Sequence, residues 1–353
     1  MSAPRIAVSG LHRGENPQPG AGIMRSVRRR WPDAFIVGLA YDAHESGIYA
    51  DDGPDAAFVM PYPKAGAKPF LSRLDEVMER APFDLFIPTL DAEIELLVHL
   101  EKELAQRRIL TCLPDREMLH RRSKDKLSAL AKQCNVQVPE TVAVADLGGA
   151  LAAAAKLEFP LVVKGQYYDA KLVHSYNELS SAASQILAQW GAPLILQRCI
   201  IGPEFNALGI GDGKGGILGL CSIRKTIVSD KGKGLGGMTI KDAKLNELCA
   251  NLISELCWRG PFEIEVMKDE ESGEHVLIEI NPRFPAWVDF ASMIGANFPA
   301  AVIEMMQNGK TDPLPNCDAG HFYLRHQVEV LGHVNQLSAL SADGGVMLQQ
   351  TKN

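Results

Sequence analysis

Residues 260–283 have the sequence GPFEIEVMKDEESGEHVLIEINPR. Two runs within this stretch alternate apolar and polar residues with a period of two, which is typical of β-strands because successive side chains point to opposite faces. The polar, glycine-containing segment between the runs predicts a hairpin connection. If the hairpin folds symmetrically about Ser272, Glu265 lies opposite Glu279, and Asn281 follows one pleat further on the same face.

Two directly opposed carboxylates repel each other, so this face of the hairpin is unfavourable unless a cation lies between them. Mg²⁺ is a suitable cation, since proteins hold it by one or two carboxylates together with the phosphates of a substrate. Arg283, two residues beyond Asn281, adds a planar cation that suits a phosphoryl group. The alternative is an exposed hairpin whose glutamates are solvated. The spacing E-x-E followed by E-x-N-P-R favours the metal and phosphate interpretation.

Glu265 and the run Glu279-Ile280-Asn281-Pro282-Arg283 resemble the metal-binding end of the ATP-grasp superfamily. Within it, the sequence is most similar to the carbamoyl-phosphate-synthetase-like and biotin-carboxylase-like branch of ATP-dependent ligases. The resemblance extends from the first predicted strand to about residue 310. It implies a mixed α/β and α+β chain, with an ATP-grasp fold and an N-terminal Rossmann-like (pre-ATP-grasp) domain.

The resemblance also implies three domains. Residues 1–121 are expected to form the N-terminal α/β domain, residues 122–199 the lobe with the first nucleotide-binding lysines, and residues 200–353 the C-terminal lobe with the Mg²⁺ site. The pattern of residues 4–40 agrees with the first of these, because it predicts a strand, a glycine-containing turn, a helix and a strand. The last strand is predicted at residues 321–332, and the tail beyond it is weakly patterned.

Composition argues against several classes of protein. A chain of 353 residues can hold two or three domains, and 46% hydrophobic with 22% charged residues is ordinary for a soluble globular protein. The net charge of −7 argues against a nucleic acid or an anionic membrane as the main partner. No apolar run approaches a membrane span and the N-terminus reads as a strand, so a cytoplasmic location is expected. The seven cysteines include no C-x-x-C pair, which favours reduced thiols over a zinc site.

Two lysines are expected to bind nucleotide phosphates. Lys164 ends the apolar run PLVVK, where a buried ammonium needs an anion, and the resemblance implies a phosphate-binding lysine at this position. Ser123 is expected to cap a helix that carries Lys124 and Lys126. The resemblance assigns Lys126 to a nucleotide phosphate, and a solvated basic helix face is the alternative.

The connection that follows Lys164 departs from the resemblance. Relatives have a glycine-rich loop here that closes over the phosphates, whereas this chain has QYYDAKLVHS at residues 166–175. A loop without glycine presents its backbone amides to phosphates less readily. Lys171 is expected to substitute as a point charge, and a weakened phosphate loop is the alternative.

Residues 192–211, APLILQRCIIGPEFNALGIG, resemble the ATP-grasp hinge that lies along the adenine edge. The resemblance implies that backbone groups of the hinge bind the adenine and that Glu204 accepts hydrogen bonds from the ribose hydroxyls. The residues assigned to the adenine edge are Gln197, Arg198, Cys199 and Ile200. Without the resemblance, this segment predicts only a strand, a turn and a second strand.

Two further cations, Arg224 and Lys225, stand where the resemblance places positive charge toward the phosphates. The glycine-containing segment that follows, residues 231–237, is expected to act as a lid over the site. A flexible hairpin tip is the alternative, since composition alone favours both equally.

Candidate substrate residues lie in two places. Thr89, Asp91 and Glu93 follow a predicted strand at its carboxyl end, where open α/β sheets bind ligands; helix capping by Asp91 is the alternative. Trp287 and Asp289 are candidates for the pocket of the acceptor substrate, and for Trp287 a place in the core is the more common outcome.

The resemblance implies an ATP-dependent carboxylate–amine ligase that forms an amide or peptide bond through an acylphosphate and releases ADP and phosphate. One or two Mg²⁺ ions, with Mn²⁺ as a substitute, would be bound by Glu265, Glu279 and Asn281. Arg283, Asn281 and Lys225 (or Arg224) would stabilise charge during transfer of the phosphoryl group. The expected partners are a small-molecule or peptide carboxylate and an amine, with no nucleic acid or membrane, and the resemblance suggests a homodimer.

Two alternatives stay open. The first is an ATP-grasp enzyme that forms another type of bond, such as a carboxylase or a carbamoyl-phosphate-forming enzyme. A single, unduplicated ATP-grasp unit argues against a complete carbamoyl-phosphate synthetase, and no biotin-carrier segment is visible. The second alternative is a nucleotide-binding protein without turnover, which the short loop after Lys164 suggests.

Overall fold

The structure, a computed structural model, describes residues 3–14, 16–165, 170–229 and 234–348. The chain separates into two compact units, each made of more than one stretch of sequence. The first unit comprises Met1–Leu119, Asn206–Glu263 and Ile280–Asn353, and the second comprises His120–Phe205 and Ile264–Glu279. The division into three domains at residues 121 and 199 stays a prediction.

The described residues form fifteen strands. In chain order these are β1 (Arg5–Ser9), β2 (Phe35–Ala40), β3 (Ala56–Val59), β4 (Leu85–Ile87), β5 (Thr141–Val144), β6 (Leu161–Lys164), β7 (Ala170–Val173), β8 (Leu194–Arg198), β9 (Glu204–Asp212), β10 (Ile217–Val228), β11 (Gly234–Thr239), β12 (Arg259–Lys268), β13 (His275–Asn281), β14 (Phe322–Leu324) and β15 (Gly345–Met347).

The α-helices of the same residues are α1 (Gly20–Arg30), α2 (Ala67–Arg80), α3 (Asp91–His99), α4 (Glu101–Gln106), α5 (Arg116–Arg121), α6 (Leu127–Gln133), α7 (Leu147–Leu157), α8 (Tyr176–Trp190), α9 (Ala243–Leu256), α10 (Val288–Met293), α11 (Phe298–Asn308) and α12 (Val334–Ala342). None of the helices in the described part of the chain combines the length and the hydropathy that a membrane crossing requires.

Five strands of the first unit form a sheet in the order β15-β3-β2-β1-β4. β1 pairs in parallel with β2 and with β4, and β2 pairs in parallel with β3. The succession of β1, α1 and β2 confirms the predicted opening of strand, helix and strand, because parallel neighbours need a crossover connection. The sheet has the α/β architecture expected for the start of the chain.

Helices cover both faces of this sheet. Ile6 packs in one hydrophobic cluster with Ile23 of α1, whereas its neighbour Ala7 packs in another cluster with Phe70 of α2. All four side chains are fully buried. Successive residues of one strand thus contribute to two cores, which explains why β1 is apolar at consecutive positions instead of alternating.

The outer strand of this sheet comes from a distant part of the sequence. β15 pairs antiparallel with β3, with Gly345 opposite Phe58. The Gly345 carbonyl also accepts a hydrogen bond from Arg80 of α2 at 3.0 Å. The last strand predicted from the sequence, at residues 321–332, is instead the short strand β14, and β15 follows after α12. A strand as short as β15 offers too few positions for a periodic pattern to be recognised.

The hairpin predicted at residues 260–283 is confirmed as β12 and β13. The two strands are neighbours in a six-stranded sheet with the order β13-β12-β9-β10-β11-β14. The Asn281 side-chain amide donates a hydrogen bond to the Glu263 carboxylate at 3.2 Å, so these side chains share one face of the hairpin. The pairing of Glu265 with Glu279 stays a prediction.

Part of the predicted lid is a strand. Gly234 and Gly237 belong to β11, which pairs with β10 on one side and β14 on the other. This part of the segment is therefore held by backbone hydrogen bonds in a sheet, and a free lid does not extend through it. Residues 231–233 lie outside the described residues.

The second unit contains a four-stranded antiparallel sheet in the order β5-β8-β6-β7. α7 and α8 pack on one face of it, where Val163 is buried among alanine and leucine side chains. Asp146 and Ser175 cap these two helices by accepting hydrogen bonds from backbone amides of the first turn. Because adjacent side chains of a strand alternate, Lys164 points to the opposite face of the sheet from Val163.

We predict that Gly345→Ala destabilises the first unit by weakening the pairing of β15 with β3. A Cβ atom at this position would lie 2.2 Å from Cδ1 of the fully buried Phe58, and overpacking of this kind costs about 1–3 kcal/mol. The free energy of unfolding, measured with urea, should fall accordingly. Gly148→Ala on α7 is the control: the nearest atom lies at 3.4 Å, and this change should be neutral or stabilising by up to about 1 kcal/mol. Equal stability of Gly345→Ala and the parent chain would contradict the prediction.

Candidate functional site

Lys164 lies at the end of β6, on the face of the four-stranded sheet opposite α7 and α8. Its ammonium donates a hydrogen bond to Gln197 Oε1 at 2.7 Å, and Gln197 Nε2 donates to Thr141 Oγ1 at 3.1 Å. Thr141 and Gln197 are paired between β5 and β8, and Lys164 is paired with Ile195, two residues before Gln197. The three polar side chains therefore share one face, and the ammonium is held by a diagonal cross-strand contact.

Three more charged side chains act on Lys164 within the second unit. Burial lowers the pKa of Lys164 and Lys124 lowers it further, whereas Glu279 and Glu265 raise it by favouring the charged ammonium. Lys124 Nζ lies 3.8 Å from Glu279 Oε1, and the two side chains are 28% and 34% exposed. We refer to Lys124, Lys164, Glu265 and Glu279 as the lysine–carboxylate cluster.

The lysine–carboxylate cluster has the donor set that a complex of Mg²⁺ with a polyphosphate needs. Carboxylate oxygens suit the metal, whose remaining positions are filled by phosphate oxygens and water, and ammonium groups suit the phosphates. Within the described ranges, no group of three or more His, Cys, Asp or Glu side chains is arranged to hold a metal ion. The donor set of the cluster fits a metal that is bound together with phosphates.

A second polar cluster lies in the first unit, around Glu263 of β12. Glu263 is 5% exposed. Its Oε1 accepts hydrogen bonds from Asn206 Nδ2 at 2.7 Å and Trp287 Nε1 at 3.0 Å. Its Oε2 accepts a hydrogen bond from Asn281 Nδ2 at 3.2 Å and lies 3.8 Å from Arg283 Nη1. We refer to these five residues as the Glu263 cluster.

Arg283 is held between two carboxylates of the first unit. Its side chain is 21% exposed, with Nη1 near Glu263 and Nε 3.7 Å from Asp91 Oδ1. Asp91 begins α3 but makes no capping hydrogen bond with its side chain, so helix capping does not explain this residue. Asp91 Oδ1 is buried and accepts no hydrogen bond from the described residues. The Asp91 carboxylate forms an ion pair with Arg283 instead.

Arg325 was not identified as a candidate site residue from the sequence. In the structure it interacts electrostatically with Glu263 of the Glu263 cluster. Burial lowers the pKa of Arg325, Tyr323 and Glu263 raise it, and Arg25 lowers it. Its guanidinium carbon lies 5.8 Å from the centroid of the Tyr323 ring. Among the residues that the structure describes, no carboxylate forms an ion pair with Arg325. A half-buried cation without an acidic partner is a candidate for an anionic ligand, and an arginine inside the apolar run HFYLR is the sequence signal that could have identified it.

Comparison of sequences gives no match: no protein-family model matches the chain, and neither does any curated protein. Solved structures match it in fold. A biotin carboxylase from Campylobacter jejuni, solved with β-γ-ATP, is 15% identical and has a TM-score of 0.68 over 88% of this chain and 72% of its own. An L-amino acid ligase from Bacillus licheniformis is 15% identical, with a TM-score of 0.65 over 88% and 76% of the two chains. The biotin carboxylase domain dimer of a Hydrogenobacter thermophilus 2-oxoglutarate carboxylase, solved with MgADP, ADP and bicarbonate, is 16% identical, with a TM-score of 0.66 over 88% and 71%.

The chain has the ATP-grasp fold. This confirms the fold class that the sequence predicted, including the Rossmann-like sheet that precedes the ATP-grasp part. The matching structures include carboxylases and an amino acid ligase, so ATP-grasp architecture alone leaves the type of bond open. The roles of individual residues rest on the local geometry of the two clusters.

Lys124 and Lys126, the two lysines near the predicted helix start, have different surroundings. α6 begins at Leu127, so Lys124 and Lys126 precede the helix and Ser123 does not cap it; the Ser123 hydroxyl contacts Asp125 and the His120 carbonyl instead. Lys126 is exposed and lies 3.4 Å from Asp125 Oδ2. Of this pair, Lys124 belongs to the lysine–carboxylate cluster through its contact with Glu279. It is therefore a second candidate for the phosphate-binding role that the resemblance assigned to Lys126.

Lys171, the expected substitute for the glycine-rich phosphate loop, is not brought to Lys164. It is paired with Val163 in the ladder of β6 and β7, so its side chain leaves the sheet on the face opposite Lys164. Its ammonium donates a hydrogen bond to Gln185 of α8. Residues 166–169 of the predicted phosphate loop lie outside the described residues.

The hinge predicted along the adenine edge connects β8 to β9. The backbone amides of Arg198 and Cys199 donate to the carbonyls of Glu140 and Pro160, at 2.9 and 3.1 Å, and are therefore already used. The Ile200 amide has no such partner among the described residues, so it is the hinge amide best suited to a nucleotide base. The Arg198 side chain is exposed and lies 3.4 Å from Glu271. Gln197 is engaged with Lys164, and Glu204, half-buried, begins β9.

Arg224 and Lys225 are successive residues of β10 in the first unit, and their side chains therefore point to opposite faces. Arg224 is exposed and Lys225 is partly buried, beside the position of Gly234 on β11. Since the two side chains lie on opposite faces of the sheet, only one of them can bind phosphates on a given face. Lys225 is the better candidate, because it is the more buried of the two.

Trp287 and Asp289, the candidates for an acceptor pocket, are both engaged within the protein. Trp287 is buried and donates to Glu263. Asp289 accepts hydrogen bonds from Arg25 at 2.7 Å and from Ser26 at 3.2 Å, both on α1. The contacts of Asp289 tie α10 to α1. Trp287 lies in the core, which was the alternative expected for it from the sequence.

Thr89 and Glu93, candidates for substrate contacts, are fully enclosed. The Glu93 carboxylate accepts hydrogen bonds from the Ser9 hydroxyl and from the Tyr41 hydroxyl, the latter at 2.7 Å. The Thr89 amide donates to Ser9 Oγ at 3.0 Å. This network joins the carboxyl ends of β1, β2 and β4, and burial raises the pKa of Glu93 to about 7.

We predict that Glu93 makes the free energy of unfolding decrease as pH rises from about 4.5 to about 7. The pKa of Glu93 is about 7 in the folded chain and close to 4.5 in the unfolded chain, so within this range only the folded state holds the proton. Full ionisation costs roughly 3 kcal/mol. Glu93→Gln should remove this dependence and become more stable, relative to the parent chain, at pH 8 than at pH 5.

The measurement is urea unfolding of both proteins at the two pH values. Glu95→Gln, an exposed position on the same helix, is the matched control and should leave the pH dependence unchanged. A stability difference between Glu93→Gln and the parent chain that is the same at pH 5 and pH 8 would show that Glu93 does not titrate in this range.

Proposed function

We propose that the protein is an ATP-dependent carboxylate–amine ligase that forms an amide or peptide bond and releases ADP and phosphate. The observation that carries this proposal is the lysine–carboxylate cluster, where Lys124 and Lys164 lie beside Glu265 and Glu279. The combination supplies ligands for a divalent metal and for phosphates in one place. The ATP-grasp fold supports the same conclusion, since matching structures were solved with adenine nucleotides.

The binding of MgATP would use residues of three kinds. Glu265 and Glu279 would hold Mg²⁺ together with Asn281, which follows Glu279 by two positions on β13 and so shares its face. The cofactor supplies compensation for charge on the β- and γ-phosphates when it is bound; one or two ions, or Mn²⁺ in their place, fit the carboxylate and amide oxygens. The phosphates would be bound by Lys164, by Lys124 or Lys126, and by Lys225 or Arg224. The hinge amide of Ile200 and the carboxylate of Glu204 would bind the adenine and the ribose.

The chemistry proceeds in two displacements. An oxygen of the substrate carboxylate attacks the γ-phosphorus, the bond to the β-phosphate oxygen breaks, and ADP leaves. The amine then attacks the acyl carbon, phosphate leaves with the bonding electrons, and the amine gives up a proton. Arg283 would stabilise the charge of the transferred phosphoryl group. Positioning of the reactants is the main contribution of such a site and is worth about 7–11 kcal/mol in favourable cases.

Arg325 supports a carboxylate as the first substrate. Its guanidinium is partly shielded from water, and no carboxylate of the described residues forms an ion pair with it, so an anionic ligand would be bound there at a low cost of desolvation. Burial lowers the pKa of Arg325, and the Glu263 carboxylate opposes this effect by favouring the charged guanidinium. The amine is proposed from the resemblance, and an L-amino acid ligase is among the matching structures.

An enzyme that forms another type of bond is the second candidate, because two of the matching structures are biotin carboxylases or carboxylase domains. Bicarbonate is also an anion that Arg325 and Arg283 would accept. A protein that binds nucleotide without turnover is the third candidate. Action on small molecules, without nucleic acid or membrane, agrees with the net charge of −7; a homodimer and a cytoplasmic location stay predictions.

The test is release of ADP from MgATP by the purified protein, with pooled carboxylic acids, with and without pooled amines, and with bicarbonate alone. Release that requires both pools is the expected result. Glu279→Ala should abolish it, because that change removes one of the two carboxylates from the metal site. Release with bicarbonate alone would favour the carboxylase candidate. MgATP binding without release under any mixture would favour the third candidate, and equal release from Glu279→Ala would contradict the metal site.

We predict that Lys124→Ala weakens MgATP binding at least tenfold. Its ammonium lies at the lysine–carboxylate cluster, whereas that of Lys126 is exposed beside Asp125, and a lost contact between an ammonium and a phosphate is worth about 1.5–3 kcal/mol. Lys126→Ala is the matched variant, two residues away, and should change the affinity less than about threefold. Titration with a fluorescent ATP analogue measures both. The reverse order of effects would return the phosphate-binding role to Lys126.

A further inference from the structure

Glu263 divides its two carboxylate oxygens between two sets of partners. Oε1 accepts hydrogen bonds from Asn206 and Trp287, at 2.7 and 3.0 Å, and these donors anchor the carboxylate in the protein interior. Oε2 faces Asn281 and Arg283, at 3.2 and 3.8 Å. One oxygen therefore holds the side chain in place, while the other acts on two residues of the proposed site.

The contact at Oε2 determines which way the Asn281 amide is turned. A carboxylate only accepts hydrogen bonds, and an amide offers a donor at Nδ2 and an acceptor at Oδ1. Glu263 therefore selects Nδ2, and Oδ1 must point away from Glu263. Oδ1 is the atom that a hard cation such as Mg²⁺ takes from asparagine. Without a fixed acceptor at Glu263, the amide gains a second orientation in which Nδ2 replaces Oδ1.

We propose that Glu263 is a positioning residue for the metal: it orients the Asn281 amide so that Oδ1, and not Nδ2, is turned away from Glu263 and presented to Mg²⁺, and its negative charge holds Arg283. This inference rests on the proposed function of the site. Glu263 is not itself assigned as a metal ligand, because both of its oxygens already face donors of the first unit, Oε1 two neutral donors and Oε2 Asn281 and Arg283. In metal sites, partners of this kind orient a ligand, and their loss typically reduces metal affinity by about 10–100-fold.

Glu263→Gln tests the orientation with a side chain of the same shape. Glutamine has one carbonyl oxygen, and two donors, Asn206 and Trp287, compete for it at the Oε1 position. The amide nitrogen of the new side chain is then left at the Oε2 position, where it meets the Nδ2 donor of Asn281. Two donors repel, so the Asn281 amide should rotate by about 180° and present Nδ2 where Oδ1 was.

The expected result is a loss of Mg²⁺ affinity in a Mg²⁺ titration at fixed concentration of a fluorescent ATP analogue, by about 10–100-fold. Glu45→Gln is the matched control: Glu45 is another buried glutamate of the first unit, and it accepts hydrogen bonds from the Leu11 and Tyr41 amides, both at 2.7 Å. That variant should lose stability and keep its Mg²⁺ affinity. An equal loss in both variants would indicate a general effect of burying an amide and would overturn the inference.

The double variant Glu263→Gln with Asn281→Asp is the decisive one. An aspartate at position 281 accepts a hydrogen bond from the new amide with one oxygen and keeps the other oxygen for the metal. Mg²⁺ affinity should therefore recover to within a few-fold of the parent chain. A merely structural role of Glu263 predicts no such recovery, since the double variant also lacks the native carboxylate. Failure to recover would overturn the inference.

A failure of the proposed function is recognised separately. If the parent chain shows no Mg²⁺-dependent nucleotide binding, the proposed function is wrong, and the orientation is then read from the side-chain amide resonances of Asn281 by ¹H–¹⁵N NMR. The proton donated to the Glu263 carboxylate should shift on Glu263→Gln and change little on Glu45→Gln. Identical Asn281 resonances in the parent chain and Glu263→Gln would show that Glu263 does not fix this amide.

Discussion

Compensation of negative charge along the hairpin of β12 and β13 is the constraint on which the candidate site depends. Three glutamates, Glu263, Glu265 and Glu279, occupy its polar face, and isolated carboxylates in such an arrangement would repel and lose hydration. The negative charge of Glu263 is compensated in a different way from the charges of Glu265 and Glu279. Glu263 is buried and satisfied by neutral donors and one arginine, whereas the other two are partly exposed and act on lysines. Exposed carboxylates beside cations can exchange partners with a ligand, and a buried, fully bonded one cannot.

The division of charge follows the division of the chain. The second unit contains the lysine–carboxylate cluster, with charges of both signs that a metal and a phosphate chain can share. The first unit contains Arg283 and Arg325 around the buried Glu263, which is an arrangement for holding an anion. In the proposed function, Asn281 and Lys225 or Arg224 of the first unit also act on MgATP, so the two substrates are not divided strictly between the units.

Sequence patterns predicted the features that depend on neighbouring residues. Alternation over residues 260–283 was sufficient for the two strands of the hairpin, and the buried run before Lys164 was sufficient for its strand. The patterns did not identify Glu263 as the centre of a cluster, because its partner Asn206 comes from another part of the chain and only the folded sheet brings the two together. The choice between Lys124 and Lys126 depends on where α6 begins, and residues 123–126 form a turn that favours neither lysine by periodicity. Arg325 required knowledge that no acid of the described residues pairs with it.

The antiparallel strand β15 has a consequence for how the protein is made. The ribosome delivers β1 to β4 first, and their apolar strands can pair as soon as α1 and α2 have formed. The outer edge of β3, with Phe58 in the middle of an apolar run, is covered only by residues 345–347, which leave the ribosome after every other described strand. During that interval the edge has unpaired amides and carbonyls that can pair with another chain. Until β15 is synthesised, the risk of pairing with another chain at this edge is therefore a property of the nascent chain that the finished fold conceals.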